Sequence, residues 1–257
     1  MHNESHQKRL AIAASLVAIA TTATMDLNGL GVFSALTLIF VSLGFYFSNK
    51  PTKRELGLTW GKGSDYLTAL SYPAMITVLT ILISTGLLGE TIQLSEKKAV
   101  YINLAAGLII GPLMVLITEE GFFRGWLWAT LKRTGLSNQQ VLTVTTLVFT
   151  VWHITAVTTG GSYGLPNAQV PVYLINVVLM SLVWGHLRAA TGSVIVPTLC
   201  HAVWNAIIYG CFGFGENVGA LGFEQTHLLG PEVGYLGILL NGLFYLGLRR
   251  KYPLSQQ

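Results

Sequence analysis

The sequence is poor in charge. Aspartate, glutamate, lysine and arginine make up only 10% of its 257 residues while 52% are hydrophobic, against about a quarter charged in a water-soluble domain; an ordinary soluble globule is excluded. Cysteine is almost absent. Cys200 and Cys211 lie on one predicted helix, about 16 Å apart by axial rise, too far for a disulfide and without metal-ligand spacing, so both read as small packing residues. There is no HExxH pair, no internal repeat, no low-complexity tract and no polar stretch long enough to fold alone. Residues 1–257 therefore read as a single membrane domain. The net charge of +4 implies no nucleic-acid partner, because the basic residues have a topological explanation.

What the chain does have is a series of continuously apolar runs, near 10–25, 30–48, 66–89, 100–131, 138–158, 170–188, 193–212 and 232–248. Each has about the twenty residues that a helix needs to cross 30 Å of hydrocarbon. Barrel strands would alternate polar and apolar positions, so the expectation is an all-α polytopic protein of about eight helices, with the lipid bilayer as its solvent. The first run follows Lys8 and Arg9 and reads as a retained helix rather than a cleaved signal. If the N-terminus is cytoplasmic, every one of the fifteen basic residues except Lys97, Lys98 and Arg124 falls at cytoplasmic helix ends. The positive-inside rule then puts both termini in the cytoplasm of a bacterial plasma membrane. On the far side lie the segment 160–169 and the glycine-rich loop 213–231, which holds Glu216 and Glu224. Gly107 and Gly111 form a GxxxG pattern, read as internal helix packing.

Ionisable groups inside apolar helices are costly, which makes them functional candidates. Three predicted helices carry them: Thr118-Glu119-Glu120-Gly121-Phe122-Phe123-Arg124-Gly125, then Phe149 to His153, then His201 to Asn205. Counted from Lys132, Asn138 and Arg188, residues Glu119, His153 and His201 each sit about 20 Å along their helices, so one buried site is expected. That count takes the helix as continuous from Thr191 to Pro197. Glu120 and Arg124, four apart, share a face and can neutralise one another, while Glu119 is turned away by about 100°. His201 and Asn205 also share a face and can both donate to a developing oxyanion. His153 can hold a water against Glu119. Phe149, Trp152 and Trp204 read as pocket walls or core contacts.

The three motifs, EExxxRG at Glu119–Gly125, FxxxH at Phe149–His153 and HxxxN at His201–Asn205, resemble the CAAX protease and bacteriocin-processing family, over about residues 100–212. Gly192, Ser193 and Pro197 match its approach to the third motif. The resemblance implies an intramembrane endopeptidase acting on a peptide or membrane-protein substrate. Glu119 would activate a water, His153 would position it, His201 and Asn205 would stabilise the oxyanion, and Glu120 with Arg124 would brace the site. It implies no obligatory metal, although zinc is a possible cofactor, with Glu119, His153 and His201 as its ligands. The oligomeric state is open. A GxSxG match at Gly160–Gly164 sits in an inter-helix loop, not in the strand-to-helix turn that a serine nucleophile needs. Two other readings compete: a proton-coupled transporter, since buried Glu and His serve proton relays, and a non-catalytic immunity or scaffold protein of the same family.

Overall fold

The computed structural model describes residues 4–159, 164–214 and 217–254; the GxSxG match, Glu216 and His2 lie outside them wholly or in part. It is an all-α bundle. The long helices are α1 (Glu4–Leu27), α2 (Thr37–Asn49, entered through a 3-10 turn at Gly31–Leu36), α4 (Gly63–Gly86), α5 (Lys98–Lys132), α6 (Asn138–Thr158), α7 (Val170–Thr191), α8 (Ile195–Phe212) and α10 (Tyr235–Lys251), with short helices α3 (Lys53–Leu56) and α9 (Thr226–Leu229) between them. The described strands, β1 (Gly213–Phe214) and β2 (Asn217–Val218), form one antiparallel pair. Seven helical segments are long and apolar enough to cross a membrane. The protein is an integral, multi-pass membrane protein. The eighth expected run, 232–248, becomes α10, which has 17 residues and starts only at Tyr235; Glu232 falls in the turn before it.

Local chemistry explains several boundaries. Ser137 and Gln140 form a capping box that starts α6 at Asn138, because a hydroxyl and a carboxamide there satisfy amides that the first turn leaves open. Along α1, Ala11, Ala14 and Ala18 are buried, at the spacing that puts them on one helical face against α2 and α6. Gly192 adopts φ 68° and ends α7. This corrects the depth count made through Arg188: the chain turns at residues 192–194, and His201 lies only about 9 Å along α8 from Ile195. The site is nonetheless deep, because a cap closes that end of the bundle. Val194 N–H donates to Gly57 O at 2.8 Å and the Ser193 hydroxyl donates to Thr59 O, so the segment after α3 covers the α7–α8 turn.

The cap is held by charge. Arg133 donates to both carboxylate oxygens of Glu55, at 2.7 and 2.8 Å, and to Asn49 O at 2.6 Å. Arg188 donates to Glu55 O and Arg124 O, each at 2.9 Å. Gly57, at φ 73°, has no room for a side chain, since a Cβ would lie 2.6 Å from the Arg188 guanidinium carbon.

At the opposite end, Gln93 and Ser95 donate to Leu221 O and Ala220 O, tying the α4–α5 loop to the segment after β2. Between the ends, α8 packs against α4, α5 and α7. Its tightest approach is to α5: a Cβ on Gly107 would lie 3.0 Å from the Ala206 Cβ, and one on Gly111 3.7 Å from the Ala202 Cβ. The GxxxG stripe is thus an internal small-on-small crossing. Both cysteines are free, and Cys200 donates to Ala69 O.

Midway along α5 the winding changes. Leu116–Leu127 is π-helical, with i→i+5 bonding and more residues per turn than an α-helix. Gly121 fits this winding, for a Cβ there would stand 2.3 Å from Leu116 O.

Two measurements test this account. Gly121→Ala should destabilise the detergent-purified protein by about 1–3 kcal/mol through overpacking. Gly44→Ala, with nothing within 4 Å of the added carbon, should be neutral or stabilising by up to about 1 kcal/mol; equal effects would remove the steric argument. Hydrogen bonding from Arg133 chiefly holds the Glu55 carboxyl down from 4.5 to about 2, against the opposing effect of burial. A lowered carboxylate stabilises the fold above its ordinary value, and that contribution fades as pH falls from 4.5 toward 2. Over that window thermal unfolding of the wild type should lose more stability than that of Glu55→Gln.

Candidate active site

The π-helical stretch of α5 decides which side chains meet. In an α-helix, Glu119 and Glu120 would diverge by about 100°; wider winding reduces that angle, and both carboxylates face one histidine. Glu120 Oε1 lies 2.9 Å from His201 Nδ1, and Glu119 Oε2 lies 3.9 Å from His201 Nε2. The imidazole is held between two consecutive residues of another helix. Trp184 of α7 stacks on its face, with ring centres 3.7 Å apart and planes 14° from parallel.

Arg124 completes the cluster. Its Nη1 donates to the same Glu120 Oε1 at 3.0 Å, and its Nη2 donates to Ser181 Oγ at 2.8 Å and to Ser181 O at 3.2 Å. The Ser181 hydroxyl in turn donates to Thr146 Oγ1. Phe149 lies 4.4 Å from the buried guanidinium across its ring face, a cation–π contact. Its ring also packs against His153, centres 4.4 Å apart. Glu120 and Arg124 are fully buried, His201 is 3% exposed, and the Glu119 side chain keeps 14% exposure. Glu119 is thus the more accessible carboxylate.

His153 Nδ1 lies 2.8 Å from Phe149 O. A carbonyl only accepts, so Nδ1 carries the hydrogen and Nε2 keeps its lone pair. Among the described residues His153 makes no hydrogen bond to Glu119. No group of three His, Cys, Asp or Glu side chains among them is gathered to hold a metal, and His201 Nδ1 is already engaged by Glu120.

Asn205, one turn beyond His201, lines a cavity of about 670 Å³ between α5 and α8. Gly107 and Gly111 form one wall, Ala202, Ala206 and Tyr209 another, and Lys97 and Asn217 stand at the end away from the Glu55–Arg133 cap. Tyr209 of that wall is bonded to a buried acid. Glu232, only 4% exposed, accepts from Trp204 Nε1 at 3.0 Å and from the Tyr209 hydroxyl at 2.9 Å.

Sequence spacing alone did not reveal Ser181, Thr146, Trp184 or Glu232. The first three are ordinary residues in apolar helices, and Glu232 looks like the start of a helix. Trp152 proves to be an anchor for α1 through Thr22. His186, also unremarked in the sequence, is bound to Tyr252 O and serves the C-terminal packing.

Residues 101–207 match the family model described as type II CAAX prenyl endopeptidase Rce1-like. No curated protein and no solved structure matches the chain significantly. The matched segment contains all three motifs and stops before Glu232. Over that segment, somewhat under half of the chain, the sequence is similar to type II CAAX prenyl endopeptidases.

Breaking a buried ion pair strands a charge, at a cost of about 3–5 kcal/mol, whereas an apolar replacement of both partners is often neutral. Arg124→Leu should accordingly lower the unfolding temperature in detergent far more than Glu120→Leu/Arg124→Leu does. A double variant as unstable as the single one would refute charge compensation as the role of Arg124.

Proposed function

With residues 101–207 carrying the Rce1-like endopeptidase pattern, we propose that the protein is an intramembrane endopeptidase that uses Glu119 to activate water. One observation carries this reading: His201 is gripped at Nδ1 by Glu120 while its Nε2 faces Glu119. Glu120 thus fixes the ring so that Nε2 points toward Glu119.

The reaction follows from the donors available. Glu119 takes a proton from a water held on the Nε2 lone pair of His153, and the water oxygen bonds to the scissile carbonyl carbon. His201 Nε2–H and the Asn205 amide donate to the oxyanion that forms, donors pre-aimed in a dry site. Collapse of this intermediate breaks the C–N bond as Glu119 passes its proton to the leaving amine. No step needs a metal. Glu120 and Arg124 touch no reacting atom; they fix the ring of His201.

The cavity between α5 and α8 serves as the substrate groove. With both termini cytoplasmic, the Glu55–Arg133 cap faces the cytoplasm and the Lys97–Asn217 end opens to the other side, so an extended peptide or an exposed membrane-protein segment enters from there.

The test is cleavage of a quenched fluorescent peptide library by purified protein in detergent. Glu119→Gln should abolish cleavage with insertion intact, and Asn205→Ala should lower kcat by about 10²–10³-fold. Wild-type activity should survive a chelator. Full activity in Glu119→Gln would remove the site assignment, and loss to chelator with recovery on zinc would remove the metal-free mechanism.

A further inference from the structure

A carboxylate buried in a membrane bundle is costly, and an apolar residue at position 232 would pack more cheaply. The chain nevertheless builds a rigid support for Glu232. The turn at residues 231–234 is gripped from two helices: Asn241 of α10 donates to Pro231 O, Asn176 of α7 donates to Gly234 O, and Asn241 also donates to Asn176 Oδ1, each at 3.0–3.1 Å. Tyr72 of α4 closes the network by donating to Asn241 Oδ1 at 2.9 Å. All three side chains are fully buried. Gly237 permits the turn, since a Cβ there would lie 2.3 Å from Pro231 O.

This support delivers two acceptor oxygens to one helix. Oε2 takes the indole N–H of Trp204 and Oε1 takes the hydroxyl of Tyr209, five residues apart on α8 and flanking Asn205. Trp204 is further fixed by stacking on Tyr72, centres 4.7 Å apart. On its other side α8 meets α5 through Gly107, Gly111, Ala202 and Ala206. Such small residues allow close approach, but they interlock poorly and set neither rotation nor height. Directional bonds set them instead: at His201 from Glu120, and around Asn205 from Glu232, which also lies within electrostatic reach of His201 and Glu119.

We infer that Glu232 is a positioning residue: through Trp204 and Tyr209 it fixes the orientation of α8, and so holds Asn205 and the groove wall in place against Glu119. The inference about catalysis rests on the endopeptidase reading. A glutamine can keep both bonds, accepting from Trp204 and donating to the Tyr209 oxygen, whereas an aspartate keeps the charge but is a methylene too short to span both donors.

Two readouts test the inference, one independent of activity. By hydrogen exchange and mass spectrometry, amides 203–210 should exchange at least about tenfold faster in Glu232→Asp and in Glu232→Ala, and at the wild-type rate in Glu232→Gln. In peptide cleavage, Glu232→Asp should lose about tenfold or more in kcat with little change in KM, and Glu232→Gln should stay within about threefold of wild type. Should Glu232→Ala fail to insert, the Asp and Gln pair carries the comparison. Wild-type exchange in Glu232→Asp would overturn the positioning role. So would a Glu232→Gln protein as impaired as Glu232→Asp, which would make the charge and not the geometry essential. Absence of cleavage in the wild type would instead strike the endopeptidase reading, with the exchange result still deciding the role of Glu232.

Discussion

One oxygen atom organises the centre of this molecule. Glu120 Oε1 accepts from Arg124 Nη1 at 3.0 Å and from His201 Nδ1 at 2.9 Å. Inside a membrane bundle none of these charges is stable alone, so each helix that supplies one requires the others. Arg124 then recruits α7 through Ser181 and α6 through the Phe149 ring, and His201 recruits α7 again through Trp184. Four helices meet at α5 because one carboxylate has to be neutralised there.

That arrangement depends on the altered winding of α5. Two adjacent glutamates on an ordinary helix diverge by about 100°, and the wider winding narrows that angle. The π-helical turn brings both to one imidazole, and Gly121 is what the turn requires of the sequence. The two acids are not equivalent. Glu120 is fully buried and spent on charge balance, while Glu119 keeps an exposed edge and is free to meet a water. This division of labour between neighbouring residues is the physical content of the EE pair.

Much of this was legible in the sequence. Apolar length located seven spans and the shortened eighth helix, with the start of α6 readable from its Ser137–Gln140 box. The three polar motifs named Glu119, Glu120, Arg124, His201 and Asn205 because charge in an apolar helix is conspicuous. The depth argument used a faulty measure, since Gly192 breaks the helix it counted along. What supplies depth at that end is the cap at residues 52–62, whose carbonyls of Gly57 and Thr59 accept from the Val194 amide and the Ser193 hydroxyl, and backbone acceptors leave no sequence signal. Glu232 was hidden for a related reason. An acid at the head of an apolar run looks like an ordinary first-turn residue, and only the fold reveals that Asn176 and Asn241 draw its turn into the bundle.

The groove between α5 and α8 shows why such directional bonds are needed. The glycines at 107 and 111 let the two backbones approach, and the same missing side chains leave hollow space beside Asn205 and Tyr209. Larger residues would lock the helices together and fill the cavity. Smaller ones keep it open but forfeit the interdigitation that normally fixes helix rotation. A helix pair that encloses an open cavity therefore cannot rely on packing along that wall. The precision it loses there has to come from hydrogen bonds on the closed sides of α8, at Glu120 through His201 and at Glu232 through Trp204 and Tyr209.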